Sequence, residues 1–314
     1  MRNLNLIGSS LFCSSLPSGI RRCHWILPLR TLYSLGSSLC SEPSRPCICV
    51  DGKLSMAESN ALEFAKQKAC QSAVSDWLKD NQIIGLGSGT TIKYAVEYIA
   101  EKVESENLQI QCIPTSFQAR QLLINHKLPV TDLDIYEKID VTFDGADEVD
   151  EDLHLIKGGG GCLLQEKIVA SCTTDFIAIV DERKHSKRLG THWTKGLPIE
   201  VIPMAFKPIQ TRIEKLFGGK VILREAVSKM GPVVTDNGNF LLDWKFDTNK
   251  QYYWPEVNIE LSNIPGVVDT GLFINMARRI YVGNMNGTVS ILEGKPSNTL
   301  CYSQHLLNSI NNSP

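Results

Sequence analysis

The 314-residue chain has no apolar run approaching the roughly 20 residues that a membrane-spanning helix requires, so a helical membrane protein is not expected. Neither sign of charge dominates. With 32 Lys and Arg against 34 Asp and Glu, the composition supplies no basic field for nucleic acid and no acidic tail, leaving small neutral or anionic ligands open. Internal repeats are absent. Ten cysteines do not amount to a disulfide framework: Cys13, Cys23, Cys40, Cys47 and Cys49 lie in the first fifty residues and the others are scattered through apolar segments. Free thiols in a reducing compartment are expected. Cys47 and Cys49 have no second Cys/His pair at finger spacing, so no structural zinc is expected there.

Residues 1–41 contain no Asp, Glu or Lys but carry Arg2, Arg21, Arg22 and Arg30 among many serines. That composition fits an organellar transit segment, or a disordered extension ahead of Met56. Without it the net charge moves from −2 to about −6, with 28 basic and 34 acidic residues (32 − 4 against 34). An anionic substrate must then be held by local groups.

What is present is a 43% hydrophobic content, enough for one large or two smaller domains. From Met56 onward, helix-like and strand-like segments alternate: "ESNALEFAKQKACQSAVSDWL", "IIGLG", "TIKYAVEYIAEKV", "LQIQCIP", "SFQARQLLINH", "IDVTF", "CLLQEKIVAS" and "FIAIV". This alternation predicts an α/β fold with a Rossmann-like, doubly wound, mostly parallel sheet. After "LPIEVIP" the rhythm changes. A helix-like "PIQTRIEKLF", the strand "KVILRE", a hairpin turning at Asn237-Gly238, a helix over "VNIELSNI" and the strand "GVVDTGLF" predict a smaller antiparallel α+β (ferredoxin-like) domain. A second hairpin, turning at Asn286-Gly287, is expected to return to the larger domain. The expected boundaries are an extension at 1–55, a catalytic domain at 56–197 plus 273–295, the smaller domain at 198–272 and a flexible tail at 296–314.

Three segments carry chemistry. "GLGSGTT" (Gly85 to Thr91) follows a strand and opens a helix, so its amides and the hydroxyls of Ser88, Thr90 and Thr91 can surround an anion. A plain tight turn is the alternative, and the sixth-position glycine of a dinucleotide fingerprint is missing. "FDGADEVDED" packs six carboxylates into nine residues. Its strand delivers Asp144 at the carboxyl edge of the sheet, where such folds bind ligands, and Asp147 follows at the crevice. Glu148, Asp150, Glu151 and Asp152 are expected to form a solvated loop; the run lacks the spacing of a calcium site. In "KGGGGCLLQEK", four glycines cost stability unless their amides have a task. Beside Lys157 they can hold a developing oxyanion. Glu166, one turn into the next helix, can be a shielded general base or a solvent-facing helix residue.

Together with "LPIEVIPMA", "VVTDNGNFLLD" and "IPGVVDTGLF", these segments resemble the A-type ribose-5-phosphate isomerase family, in order and spacing, over roughly residues 60–292. The resemblance implies an aldose–ketose isomerase acting on a sugar phosphate without metal or organic cofactor. It further implies Glu166 as proton acceptor, with Asp144, Asp147 and Lys157 catalytic. Gly145, Ala146, Gly158, Gly159 and Gly160 would hold the sugar, and Ser88, Gly89, Thr90 and Thr91 the phosphate end. Lys184 in "DERK" would be a further substrate contact and Lys66 a phosphate partner. A homodimer or higher homo-oligomer, with no nucleic-acid or membrane partner, is implied too. The location would be cytoplasmic, or organellar if residues 1–55 act as a transit peptide. A non-catalytic sugar-phosphate sensor and a coenzyme A transferase-like enzyme using a glutamate nucleophile remain as alternatives.

Overall fold

The computed structural model describes residues 55–293; the expectations for the amino-terminal extension, for Cys47 and Cys49 and for residues 296–314 lie outside the described residues. In chain order the elements are α1 (Met56–Trp77), β1 (Gln82–Leu86), α2 (Ile92–Glu106), β2 (Ile110–Pro114), α3 (Phe117–Asn125), β3 (Ile139–Asp144), β4 (Glu148–Val149) and β5 (Leu155–Ile156). Then come α4 (Leu163–Ser171), β6 (Thr173–Asp181), β7 (Leu197–Val201), α5 (Phe206–Phe217), β8 (Lys220–Leu223), β9 (Phe240–Lys245), α6 (Trp254–Ser262), β10 (Val267–Thr270), β11 (Leu272–Phe273), β12 (Ala277–Gly283) and β13 (Val289–Glu293).

The largest sheet has the order β13-β12-β6-β3-β1-β2, parallel except for the edge strand β13. Its strands are apolar on both faces because both faces are covered. In β6, Ile177 and Ile179 join the core formed with α1 and α2, while Phe176, Ala178 and Val180 point into the opposite cluster. β2 lies on one side of β1 and β3 on the other. The connections therefore diverge at β1, and the crevice between the carboxyl ends of β1 and β3 is the topological switch point at which such sheets bind ligands.

Residues 197–270 run β7-α5-β8-β9-α6-β10, and their sheet has the order β10-β7-β9-β8 with every pairing antiparallel. This is the split βαββαβ arrangement of ferredoxin-like units. Its core gathers Trp244, Leu242, Ile209, Ile213 and Leu261.

The expected strand "GVVDTGLF" is two strands in different sheets. It breaks at Gly271, whose amide donates to the Pro198 carbonyl at 2.7 Å and whose carbonyl accepts from the Lys157 amide at 2.9 Å. A Cβ there would sit 2.3 Å from the Lys157 carbonyl oxygen, so only glycine admits the crossing. Beyond the break, β11 pairs with β5, and β5 with β4, in a small three-stranded sheet.

Candidate functional site

Asp144 is the last residue of β3, completely buried at the switch point. The turn after β1 presses directly on it: a Cβ on Gly87 would come within 1.8 Å of Asp144 Oδ1, and one on Gly85 within 2.0 Å of Thr142 Oγ1. The first two glycines of "GLGSGTT" thus let β1 and its turn approach β3. They pack protein against protein, and the part of the motif open to an anion begins at Ser88.

From Asp144 the chain enters the β4-β5 hairpin, which brings residues 147 and 157 together. The Asp147 amide donates to the Ile156 carbonyl at 2.8 Å, and the Lys157 amide is fixed by Gly271. The Lys157 ammonium is thereby held in the interior, 2% exposed, donating to the Gly145 carbonyl at 2.6 Å and standing 2.9 Å from Asp144 Oδ2. Gly158 follows with φ +94°, and Gly159 donates its amide to Asp147 Oδ2 at 2.6 Å. A side chain at 159 would meet Trp193 at 2.5 Å and the Asp147 carboxylate, whereas one at Gly160 would meet nothing within 4 Å. The amide of Gly160 has no protein partner among the described residues.

The glycine run ends at α4, which starts without a side-chain cap and carries Glu166 in its first turn. Glu166 is buried, with Oε2 3.4 Å from the Lys157 ammonium. One ammonium thus serves two buried carboxylates. Neither Asp144 Oδ2 nor Glu166 Oε2 meets hydrogen-bond geometry, so each faces Lys157 as an ion-pair partner only.

The electrostatics follow. Burial, augmented by the charges of Asp144 and Asp147, pushes Glu166 up to about 8 against the pull of Lys157. Burial raises Asp144 as well, although Lys157 and the amides of Gly145 and Ser88 oppose it. For Lys157, burial disfavours the charge, but Asp144 and Glu166 outweigh it and hold the ammonium above its ordinary range. Such a set can take up and release a proton near neutral pH beside a fixed positive charge.

The outer candidates surround this centre. Ser88 reaches the Asp144 carboxylate through its amide, and its side chain lies close to Cys162 at the start of α4. Gly89 has φ +99° and donates its amide to Gln118 Oε1 at 3.1 Å. Thr90 is exposed and Thr91 buried at the uncapped start of α2. Lys184 donates to the Ala146 carbonyl at 2.6 Å. Burial lowers its pKa, against which the Asp147 and Asp181 carboxylates act. Lys66 is buried on α1, 2.8 Å from Glu63, and its charge is felt at Asp181 and Lys184.

The expected solvated acid loop is corrected in half of its members. Glu151 and Asp152 are exposed, but Glu148 is fully buried, accepting from the Gly190 amide at 2.5 Å and the His192 amide at 2.7 Å. Asp150 is buried too, accepting from the His154 amide at 2.8 Å, and burial raises it to about 6. Glu148 ties the segment bearing Trp193 to the β4-β5 hairpin. Nothing in the acidic run distinguishes it from its neighbours before folding. Among the described residues, no three His, Cys, Asp or Glu side chains converge as a metal site.

A Rossmann-like sheet with an antiparallel companion, holding paired carboxylates and an ammonium beside bare amides at its switch point, defines an acid–base enzyme of the α/β class. The family model for ribose 5-phosphate isomerase A (phosphoriboisomerase A) matches residues 111–287. The chain is 58% identical to a human ribose-5-phosphate isomerase over 231 residues, covering 74% of each, and 52% identical to one from Sus scrofa over 276 residues, covering 88% of each. Among solved structures, a D-ribose-5-phosphate isomerase in complex with phospho-erythronic acid aligns at 42% identity with a TM-score of 0.70, over 74% of this chain and 99% of that one. The isomerase from Plasmodium falciparum aligns at 33% identity, also with a TM-score of 0.70, over 74% and 100%. The chain belongs to the ribose 5-phosphate isomerase A family.

Proposed function

We propose that the chain interconverts D-ribose 5-phosphate and D-ribulose 5-phosphate through an enediolate, in the non-oxidative part of the pentose phosphate pathway and without metal or organic cofactor. The observation carrying this reading is the position of Glu166, a buried carboxylate whose proton affinity is raised toward neutrality, 3.4 Å from the Lys157 ammonium and next to the glycine amides.

Moving a carbonyl from C1 to C2 requires a proton to leave C2, charge to gather on the C1 oxygen, and a proton to arrive at C1. Glu166 takes the C2 proton of the open-chain aldose. The charge on oxygen is met by Lys157 and the bare glycine amides. Glu166 then returns the proton to C1. Asp144 and Asp147 assist ring opening and carry hydroxyl protons, their division between these tasks being left open. Gly145, Ala146 and Gly158 to Gly160 line the sugar, Ser88 to Thr91 and Lys66 take the phosphate, and Lys184 adds a further contact. The reading extends to a homodimer or higher homo-oligomer, which light scattering of the purified protein measures, and to a cytoplasmic location.

The test is ketose formation from ribose 5-phosphate in the presence of a metal chelator. Wild type is expected to turn over and Glu166→Ala to lose about 10²- to 10⁴-fold. Equal rates for the two proteins would contradict the reading.

A further inference from the structure

Arg224 follows β8 in the antiparallel sheet, remote in sequence from the catalytic segments. Its side chain nevertheless reaches the glycine run: Nη1 donates to the Gly158 carbonyl at 2.9 Å and to the Gly159 carbonyl at 3.2 Å. The other edge of the guanidinium is fixed by Asp243 on β9, with Nε 2.8 Å from Oδ2 and Nη2 2.5 Å from Oδ1. Both side chains are largely shielded, at 16% and 14% exposure. This bidentate pair makes the guanidinium a rigid fork.

The consequence follows from peptide geometry. In a trans peptide the C=O and N–H point in opposite directions. Drawing the carbonyls of Gly158 and Gly159 toward Arg224 therefore turns the amides of Gly159 and Gly160 the other way. The first of these is seen to do so, donating to Asp147 Oδ2 at 2.6 Å. The second has no protein partner among the described residues, and no neighbour would meet a Cβ on its residue. The Gly158 carbonyl also accepts from the Gly161 amide at 3.0 Å, closing the run as a turn, but the Gly159 carbonyl has only Arg224 among the described residues; without it the Gly159–Gly160 peptide would rotate freely, since glycine restricts neither φ nor ψ strongly. A positive charge on the carbonyl side also polarises each peptide, strengthening its N–H as a donor.

We propose that Arg224, braced by Asp243, is a positioning residue for the isomerisation. It aims and polarises the Gly160 amide at the oxygens of the reacting carbons and holds the Gly159 amide on Asp147, so that the antiparallel sheet takes part in catalysis without touching substrate. This rests on the isomerase reading of the site. It predicts a selective effect, because an interaction that matters most when oxygen carries charge acts on turnover more than on substrate binding.

The experiment compares wild type, Arg224→Lys, Arg224→Ala and Asp243→Asn for kcat and KM with ribose 5-phosphate, for affinity toward phospho-erythronic acid, and for thermal midpoint. Wild-type turnover is measured first, and its absence would defeat the isomerase reading itself. Given turnover, Arg224→Lys, which keeps the charge but not the fork, is expected to lower kcat about 10- to 100-fold while KM changes less than about threefold. Asp243→Asn is expected to lower kcat by less. Guanidinium added at millimolar concentration is expected to restore part of the kcat of Arg224→Ala. Should Arg224→Ala not fold, the lysine variant alone decides. A folded Arg224→Lys with kcat within twofold of wild type, or one in which KM rises while kcat stays constant, overturns the proposal.

Discussion

Glu166 Oε2 lies 3.4 Å from the Lys157 ammonium without forming a hydrogen bond to it, in a site where both side chains are almost wholly excluded from solvent. The pair is therefore held by charge alone. Because Asp144 shares the same ammonium at 2.9 Å, protonation of either carboxylate changes what the other experiences.

The first prediction concerns pH and rate. With its pKa raised to about 8, Glu166 is increasingly ionised as pH rises toward that value. Log kcat/KM should climb between pH 6 and 8 and level off above, reporting the free enzyme's base. A profile flat across that range would contradict the assignment.

The second concerns pH and stability. A carboxyl whose folded pKa lies above its ordinary value of 4.5 favours folding fully below 4.5 and loses that contribution as pH rises through about 8. Glu166→Gln removes the loss. Its unfolding free energy in urea should gain on wild type progressively from pH 5 to about pH 8 and level off above, by an amount on the order of a few kcal/mol. An offset independent of pH would show that Glu166 is not buried as described.

The third concerns the ammonium. Lys157→Met leaves two buried carboxylates uncompensated, and should destabilise the protein by about 3–5 kcal/mol at pH 8. The loss should shrink toward pH 5, where Asp144 and Glu166, both raised, take up protons. Adding Asp144→Asn should recover part of the stability at pH 8. Urea denaturation at the two pH values measures both effects.

The fourth separates two adjacent glycines. Gly159→Ala must push Trp193 or Asp147 aside and is expected to cost about 1–3 kcal/mol, while Gly160→Ala, with open space around it, should change stability by less than about 1 kcal/mol. Equal destabilisation in denaturant would mean that the run packs differently.

The fifth concerns Glu148. Glutamine offers one acceptor oxygen where the Gly190 and His192 amides use two. Glu148→Gln should cost about 1–3 kcal/mol and speed hydrogen exchange at one of these amides. Unchanged exchange at both would remove its bracing role.

Local signals account for what the sequence disclosed. Strand and helix periodicity gave the parallel sheet, and the position of Asp144 at a strand end gave the crevice. The glycine run announced a backbone task, and the spacing to Glu166 set it one turn into α4. What stayed hidden depends on contacts between distant segments. Glu148 looks like its solvated neighbours until the 190–193 segment folds over the hairpin. Arg224 is an ordinary basic residue until β8 and β9 bring it against carbonyls 65 and 66 residues away. Gly271 reads as part of one strand, and only the crossing of Lys157 and Pro198 on either side of it reveals a change of sheet. The role of Gly85 and Gly87 is hidden for the same reason, since the groups they accommodate, Thr142 and Asp144, lie on another strand.

Transfer of a proton between neighbouring carbons by one carboxylate leaves an isotopic record on those carbons. It is tested most directly by running ribose 5-phosphate to equilibrium in D₂O and following carbon-bound deuterium by NMR. Over many turnovers wild type should introduce deuterium at C1 of the ketose and C2 of the aldose, and Glu166→Gln should introduce almost none in the same time. Conversion by wild type with no deuterium on carbon, or labelling at the same rate by the variant, would contradict the account.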